Sequence, residues 1–295
     1  MIQETNQPQN MRLRQKMIKT YRYLTAEHPG SRSKESQIIL YHMYKDLVRR
    51  GVSPLPSFAE VGFRCHSQFE EDGILLYIFA LVGVTNKVAV EVCAGDGMVC
   101  NTANLIINHG YWGYLFDGNE TNAAAGKEFY RTHRDTTLCP PRFTCAWITA
   151  ENVNELIRGA GAEGEIDLLS LDIDGMDYWI WKAIDCIKPR VVVCETNNAI
   201  GPDDALTVPY DPGFRMKIPD YLGASLAAMS KLAAEKGYRL VGTHRYGFNA
   251  FFVRNEIARD ILPAVTPAQC LQDPYSMETR AIRWPTIKDL NWVRV

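Results

Sequence analysis

The stretch Val90–Leu105, VEVCAGDGMVCNTANL, decides how this chain is read. An apolar run reaches Ala94, glycines stand at Gly95 and Gly97, and a helical pattern resumes from Asn101. A strand that turns sharply into a helix needs residues without a Cβ at the corner. Such a corner also lets a ligand approach the backbone closely. On both sides of it, from Ser67 onward, helical and strand-like segments alternate. The strands KVAVEVCA, GYLFDGN, FTCAWIT, IDLLSLDID and RVVVCETN are separated by helical stretches, and YRLVGTHRY and NAFFVRN close the series. Continuous apolar strands with intervening helices indicate a parallel sheet covered on both faces. The expected fold is therefore α/β: a doubly wound, mostly parallel seven-stranded sheet whose last two strands are joined by a short turn, giving one antiparallel edge strand.

An N-terminal helical extension precedes this body. Leu13, Met17, Tyr21 and Leu24 recur at helical spacing among arginines and lysines, and ESQIILYHMYKDLVRRG reads as a second helix ending at Gly51. VSPLPS breaks the pattern. We divide the chain into an extension (1–62), an α/β domain (63–258) and a proline-punctuated, irregular tail folding back on it (259–295). The N-terminal helices are candidate homodimer contacts.

Composition narrows the function classes. With 46% hydrophobic and 22% charged residues the chain is an ordinary globular protein, and a net charge of −2 argues against nucleic acid as a partner. No apolar run approaches the roughly 20 residues that span a bilayer. MIQETNQPQN has no apolar core of a secretory signal. Eight cysteines without CxxC spacing, several inside strand-like runs, read as reduced small hydrophobes, so a cytoplasmic location is expected.

Asp117 ends the second strand twenty-two residues after Gly95. An acid at about that distance is the expected partner of ribose hydroxyls. Cys100 stands where a dinucleotide fingerprint has its third glycine, which favours a ligand without a pyrophosphate, such as S-adenosylmethionine. Glu91 followed by Gly95 and Gly97 resembles the [DE]-x-G-x-G-x-G motif of Rossmann-like (class I) S-adenosylmethionine-dependent methyltransferases, with Cys93 replacing the first glycine. SQFEEDGIL, LLSLDIDGMDYWIWKAI with RVVVCETN, and GASLAAMSKLAAEKGYRLVG with NAFFV look like the FkbM-type branch, which includes O-methyltransferases of sugars and natural products. The resemblance covers about Ser67 to Val253. It implies that Glu91, Ala94, Gly95 and Gly97 line the methionine and ribose side, and that Asp117 holds the ribose. Gly118 and Asn119 would lie beside adenine, under the AWITAEN turn. Asp172 would face the sulfonium or acceptor, and Gln68 would lie in the helix before the first strand, near the methionine end.

Asp172, Asp174 and Asp177 fall within SLDIDGMDYW, and Glu195 ends the next strand. Strand alternation would put Asp172 and Asp174 on one side. Acids here can cap the following helix, as we read Asp177, bind Mg²⁺ through Asp172 and Glu195, or remove a proton from an acceptor. Asp172, Glu195 and His244 are the candidate bases, and the long loop around Tyr210, Asp211 and Phe214 is the candidate lid over a small-molecule acceptor. Two other readings stay open. Tyr178 and Lys182 match the Y-x-x-x-K pair of NAD(P)-dependent short-chain oxidoreductases, and the corner also suits a non-catalytic nucleotide-binding module.

Overall fold

The computed structural model describes residues 30–295. The expected helix through Leu13, Met17, Tyr21 and Leu24 lies outside those residues. Seven strands form the main sheet: β1 (Val88–Val92), β2 (Trp112–Asp117), β3 (Arg142–Cys145), β4 (Gly164–Leu171), β5 (Ile187–Glu195), β7 (Tyr238–Thr243) and β8 (Asn249–Arg254), in the order β3-β2-β1-β4-β5-β8-β7. A separate pair joins β6 (Leu206–Thr207) to β9 (Val293–Arg294). Strands β1 to β5 run parallel, and the order reverses between β1 and β4, which is where open α/β sheets bind ligands.

Two-residue alternation divides the strands between two apolar cores. Val90, Val92, Leu169, Leu171, Val192, Cys194 and Phe252 face one side; Ala89, Leu168, Val191, Val193 and Phe251 face the other. Helices α6 (Val153–Ala160), α7 (Asp177–Ala183) and α8 (Leu226–Glu235) cover the first face. Helices α1 (Gly30–Arg49), α3 (Glu71–Val82), α4 (Ala103–His109) and α5 (Glu120–Thr132) cover the second. A short α2 (Phe58–Val61) leads into α3. Every residue of α3 is buried, so this helix is apolar nearly all round rather than amphipathic. Among the described residues no helix is long and apolar enough to cross a membrane.

Three expectations are corrected. The antiparallel strand is not at the edge: β8 inserts between β5 and β7. Phe251 and Phe252 are both fully buried, one in each core, and a strand apolar on both faces belongs inside a sheet. The tail is not irregular, since it forms α9 (Pro267–Cys270), α10 (Pro274–Ile287) and β9. Pro267 and Pro274 stand at first helical positions behind capping Thr266 and Asp273, where a missing N–H is harmless, while Pro285 lies inside α10. Finally, Gln68 is exposed in a bend before α3, not inside a helix. The Asp72 carboxylate accepts the backbone N–H groups of Cys65, His66 and Ser67, wrapping that segment around the start of α3.

Gly73 shows how tightly this start is packed. A Cβ there would lie 2.3 Å from the Val61 carbonyl and 2.4 Å from the Phe63 nitrogen. In an open helix Gly→Ala gains about 1 kcal/mol. Here Gly73→Ala is expected to lose about 1–3 kcal/mol by overpacking, read as a lower urea midpoint at unchanged slope.

Candidate active site

The corner after β1 is held from three directions. The Ala94 N–H donates to the Phe116 carbonyl at 2.9 Å, stitching the ends of β1 and β2 together. From below, buried Glu91 accepts the N–H groups of Asn101 and Thr102, each at 2.9 Å, and the hydroxyls of Ser170 and Thr102. Across the corner, the Gly95 N–H donates to Asp117 Oδ2 at 3.0 Å. Cys93, Gly95 and Gly97 take φ of 64°, 60° and 70°, so the backbone is left-handed at alternate residues. Cys93 thus occupies a conformation that suits glycine, at the position where the motif has one. Nothing lies within 4 Å of where a Gly95 Cβ would be, which leaves open space above the turn.

Asp117 is the joint of the two corners. Oδ1 accepts the Asn119 N–H at 2.8 Å and the Asn122 amide at 3.3 Å, while Oδ2 takes Gly95. A carboxylate has about four acceptor sites. One remains on Oδ2, and the long Asn122 contact is easily exchanged, so the group can still accept ribose hydroxyls. Beyond it, a Cβ on Gly118 would lie 2.7 Å from the Trp147 ring, so the absent side chain admits the indole. The Arg215 guanidinium lies 3.7 Å from the centroid of that ring. Trp147 Nε1 donates to the Pro212 carbonyl at 2.7 Å.

Arg215 and Pro212 belong to the long loop after β5, which is docked down. Phe214 packs against Gly175, where a Cβ would come within 2.4 Å of the ring. The Tyr210 hydroxyl donates to Glu151 at 2.6 Å and accepts the Ala150 N–H at 3.0 Å. The loop therefore closes over the strand ends, gripping both the β3 and the β4 sides.

Opposite the glycine corner, single oxygens of Asp172, Asp174 and Glu195 lie within 4.8 Å of one another. None of the three has a hydrogen-bond or ion-pair partner among the described residues. Asp172 and Asp174 meet although β4 ends at Leu171, because Asp174 is left-handed with φ of 51° and the chain doubles back. Burial raises Asp172 to about 8, with Asp177, Asp174, Glu91 and Glu71 adding to it. Burial also raises Glu195 well above the carboxylate range, Asp172 being the next cause. Asp177 differs from these: it is fully buried and accepts the N–H groups of Ile173 and Gly175, so it shapes the loop, and burial still lifts it to about 6. Burial pushes the Cys93 thiol up, and the carboxylates of Asp177, Asp117, Asp172 and Asp174 act in the same direction. Cys93 is thus within electrostatic reach of both Asp117 and the acids that follow β4.

The remaining candidates fall elsewhere. Ala94 is buried beneath the turn, and Asn119 caps α5 by accepting from Thr121 and Asn122. His244 is sealed in an aromatic cage of Phe69, Tyr246 and Phe248. Its Nδ1 accepts the Tyr246 and Gly247 N–H groups at 3.2 Å, which leaves the proton on Nε2, 3.4 Å from Glu71. With no free lone pair, and held neutral by burial, it is not placed to act as a base. The Tyr178–Lys182 pair also fails geometrically. The ammonium sits over the ring at 5.7 Å, and burial raises the phenol where an oxidoreductase needs it lowered. Asp172, Asp174 and Glu195 gather as strand alternation and the strand ends predict, and Trp147 lies in the AWITAEN turn expected over adenine; its partner Arg215 has no signal in the sequence.

No family model matches the sequence, and no curated protein matches it. Solved structures similar to the chain include a magnesium protoporphyrin IX methyltransferase (ChlM) from Synechocystis PCC 6803 with bound SAM, at 12% identity over 81% of this chain and 96% of that one, TM-score 0.38. Others are the CcbJ methyltransferase from Streptomyces caelestis (15%, 72% and 97%, 0.40) and a putative caffeoyl-CoA O-methyltransferase from Staphylococcus aureus (12%, 81% and 98%, 0.42).

Two outcomes are expected. Cys93→Gly should raise stability by about 0.5–1 kcal/mol, the left-handed penalty less the added freedom of the unfolded chain, in thermal unfolding. Asp172 keeps a proton in the folded state that the unfolded chain gives up near pH 4. Stability in metal-free buffer should therefore fall as pH rises from about 4 to about 8. Asp172→Asn should flatten that decline and gain on the order of 1–2 kcal/mol at pH 8, with little gain at pH 4.

Proposed function

We propose that the chain is an S-adenosylmethionine-dependent methyltransferase of the FkbM-like type, acting on oxygen of a small polar, sugar-like acceptor. The observation that carries this reading is the Asp117 carboxylate bonded to the Gly95 amide beneath open space at the switch point of the sheet. Asp117 and the Gly95–Gly97 turn would hold the ribose, Gly118 and Trp147 the base, and Asp172 the methionine end. Glu91 acts from below, fixing the turn rather than touching the ligand. When bound, S-adenosylmethionine supplies a methyl group on a sulfonium whose thioether is already an activated leaving group.

What the chain must add is orientation, exclusion of water and removal of one proton. Loop docking through Tyr210 and Phe214 closes the cleft. Asp172 and Glu195 are the bases. Burial and their mutual repulsion raise both groups, Asp172 to about 8, so a positive charge beside them favours their ionised forms. Three hard oxygen donors without a counter-charge also fit a divalent ion; with Mg²⁺ held by Asp172, Glu195 and Asp174, the ion would acidify a bound acceptor hydroxyl and the carboxylates would serve as ligands in place of bases.

Calorimetry with S-adenosylhomocysteine tests the nucleoside site. Binding is expected, Asp117→Ala should weaken it by about 1–3 kcal/mol, and NADH should not bind. Nucleoside binding with no acceptor ever methylated would instead favour the non-catalytic module. Mg²⁺ should raise the melting temperature of the wild type at pH 8. It should not raise that of a Asp172→Asn, Glu195→Gln double variant, and an equal rise in both would remove the ion from this site.

A further inference from the structure

The lid has a stem of its own. Val208 donates to the Gly223 carbonyl at 3.0 Å, Ser225 to Leu206 at 2.8 Å, and Thr207 bridges Ala224, so the two ends of the loop form a short antiparallel ladder. β6 is two residues long, and alone it would leave an open edge. β9 fills that edge: Leu206 pairs with Arg294 and Thr207 with Val293, while Val295 donates to the Ala205 carbonyl at 3.0 Å. Thr207 and Leu206 are both buried.

The same segment grips the other arm of the stem. The Tyr221 and Trp292 rings meet edge to face at 4.8 Å, the Tyr221 hydroxyl donates to the Asn291 carbonyl, and Arg283 pairs with Asp220 at 3.0 Å. Trp292 Nε1 is tied back to the Ile287 carbonyl at the end of α10. α10 in turn rests on the turn between β7 and β8 through Ser276 and the Tyr246 carbonyl. Force on the lid is thereby passed to the main sheet.

We propose that residues 288–295 are a brace that positions the lid, with Trp292 as its key residue. Its two grips, the β6–β9 ladder and the Tyr221–Trp292 contact, hold Tyr210, Phe214 and Arg215 over the cleft. This rests on the methyltransferase reading for what the lid covers; the mechanical claim does not. The brace acts on the lid and not on the glycine corner, which is tied to β1, β2, β4 and α4, and to α5 through the Tyr130 hydroxyl on the Gly97 carbonyl.

Lid opening can be read directly, because Arg215 and Lys217 are exposed at the tip and are trypsin sites. In the full chain, Trp292→Ala should raise trypsin cleavage after Arg215 and Lys217 about tenfold, since cleavage follows the population of the open form. Trp292→Phe, which keeps an aromatic ring against Tyr221, should restore most of the protection. S-adenosylhomocysteine should still bind in calorimetry, because the Gly95–Asp117 link is untouched, with the loss confined to the base contact at Trp147 that Pro212 and Arg215 of the lid support. Equal cleavage in wild type and Trp292→Ala would overturn the brace, as would acceleration spread through the whole domain. If the wild type fails to bind S-adenosylhomocysteine, the methyltransferase reading falls, while the cleavage rates still decide the brace.

Discussion

The hydrogen bond from the Gly95 amide to Asp117 holds the site together. It joins the corner leaving β1 to the end of β2, with the Ala94–Phe116 bond running beside it. These two links fix the distance between a bare stretch of backbone and a carboxylate. The left-handed residues at 93, 95 and 97 follow from this geometry: the chain must turn tightly to bring an N–H inward. Glu91 and its four donors stop the turn from sagging into the sheet.

The acidic groups divide by what satisfies them. Glu91, Asp72, Asp167 and Asp177 each accept backbone N–H groups and are structural anchors. Asp172, Asp174 and Glu195 accept none, yet they crowd together. An unpaired carboxylate set is costly to keep in a protein, and it persists where a cation or a proton is to be received. Asp174 is exposed while Asp172 and Glu195 are half-buried, so the set lies at the rim of the loop held by Tyr210 and Phe214.

Most of the sheet was legible because period-two apolar patterns leave little choice of register, and the glycine corner with Asp117 could be read from spacing alone. The position of β8 was not, because hairpin order within a sheet depends on which strand is apolar on both faces. The tail was misread because Pro267 and Pro274 look like breakers until Thr266 and Asp273 are seen as caps. At the site, Asp172 and Glu195 were identified by their place at strand ends. Strand alternation already puts Asp174 on the side of Asp172, although it is the left-handed turn at Asp174, past the end of β4, that sets the pair beside Glu195. His244 carried a chemical signal in sequence, but its burial and its amide partners come from tertiary packing. Trp147 and Arg215 lie 68 residues apart, and no local pattern could pair them.

A crystal structure of the full chain with S-adenosylhomocysteine tests the central claim most directly. The account predicts ribose oxygens within hydrogen-bond distance of Asp117, the base beside Gly118 and Trp147, and the sulfur on the Asp172 and Glu195 side. A nucleoside bound elsewhere, or with its ribose turned away from Asp117, would contradict it.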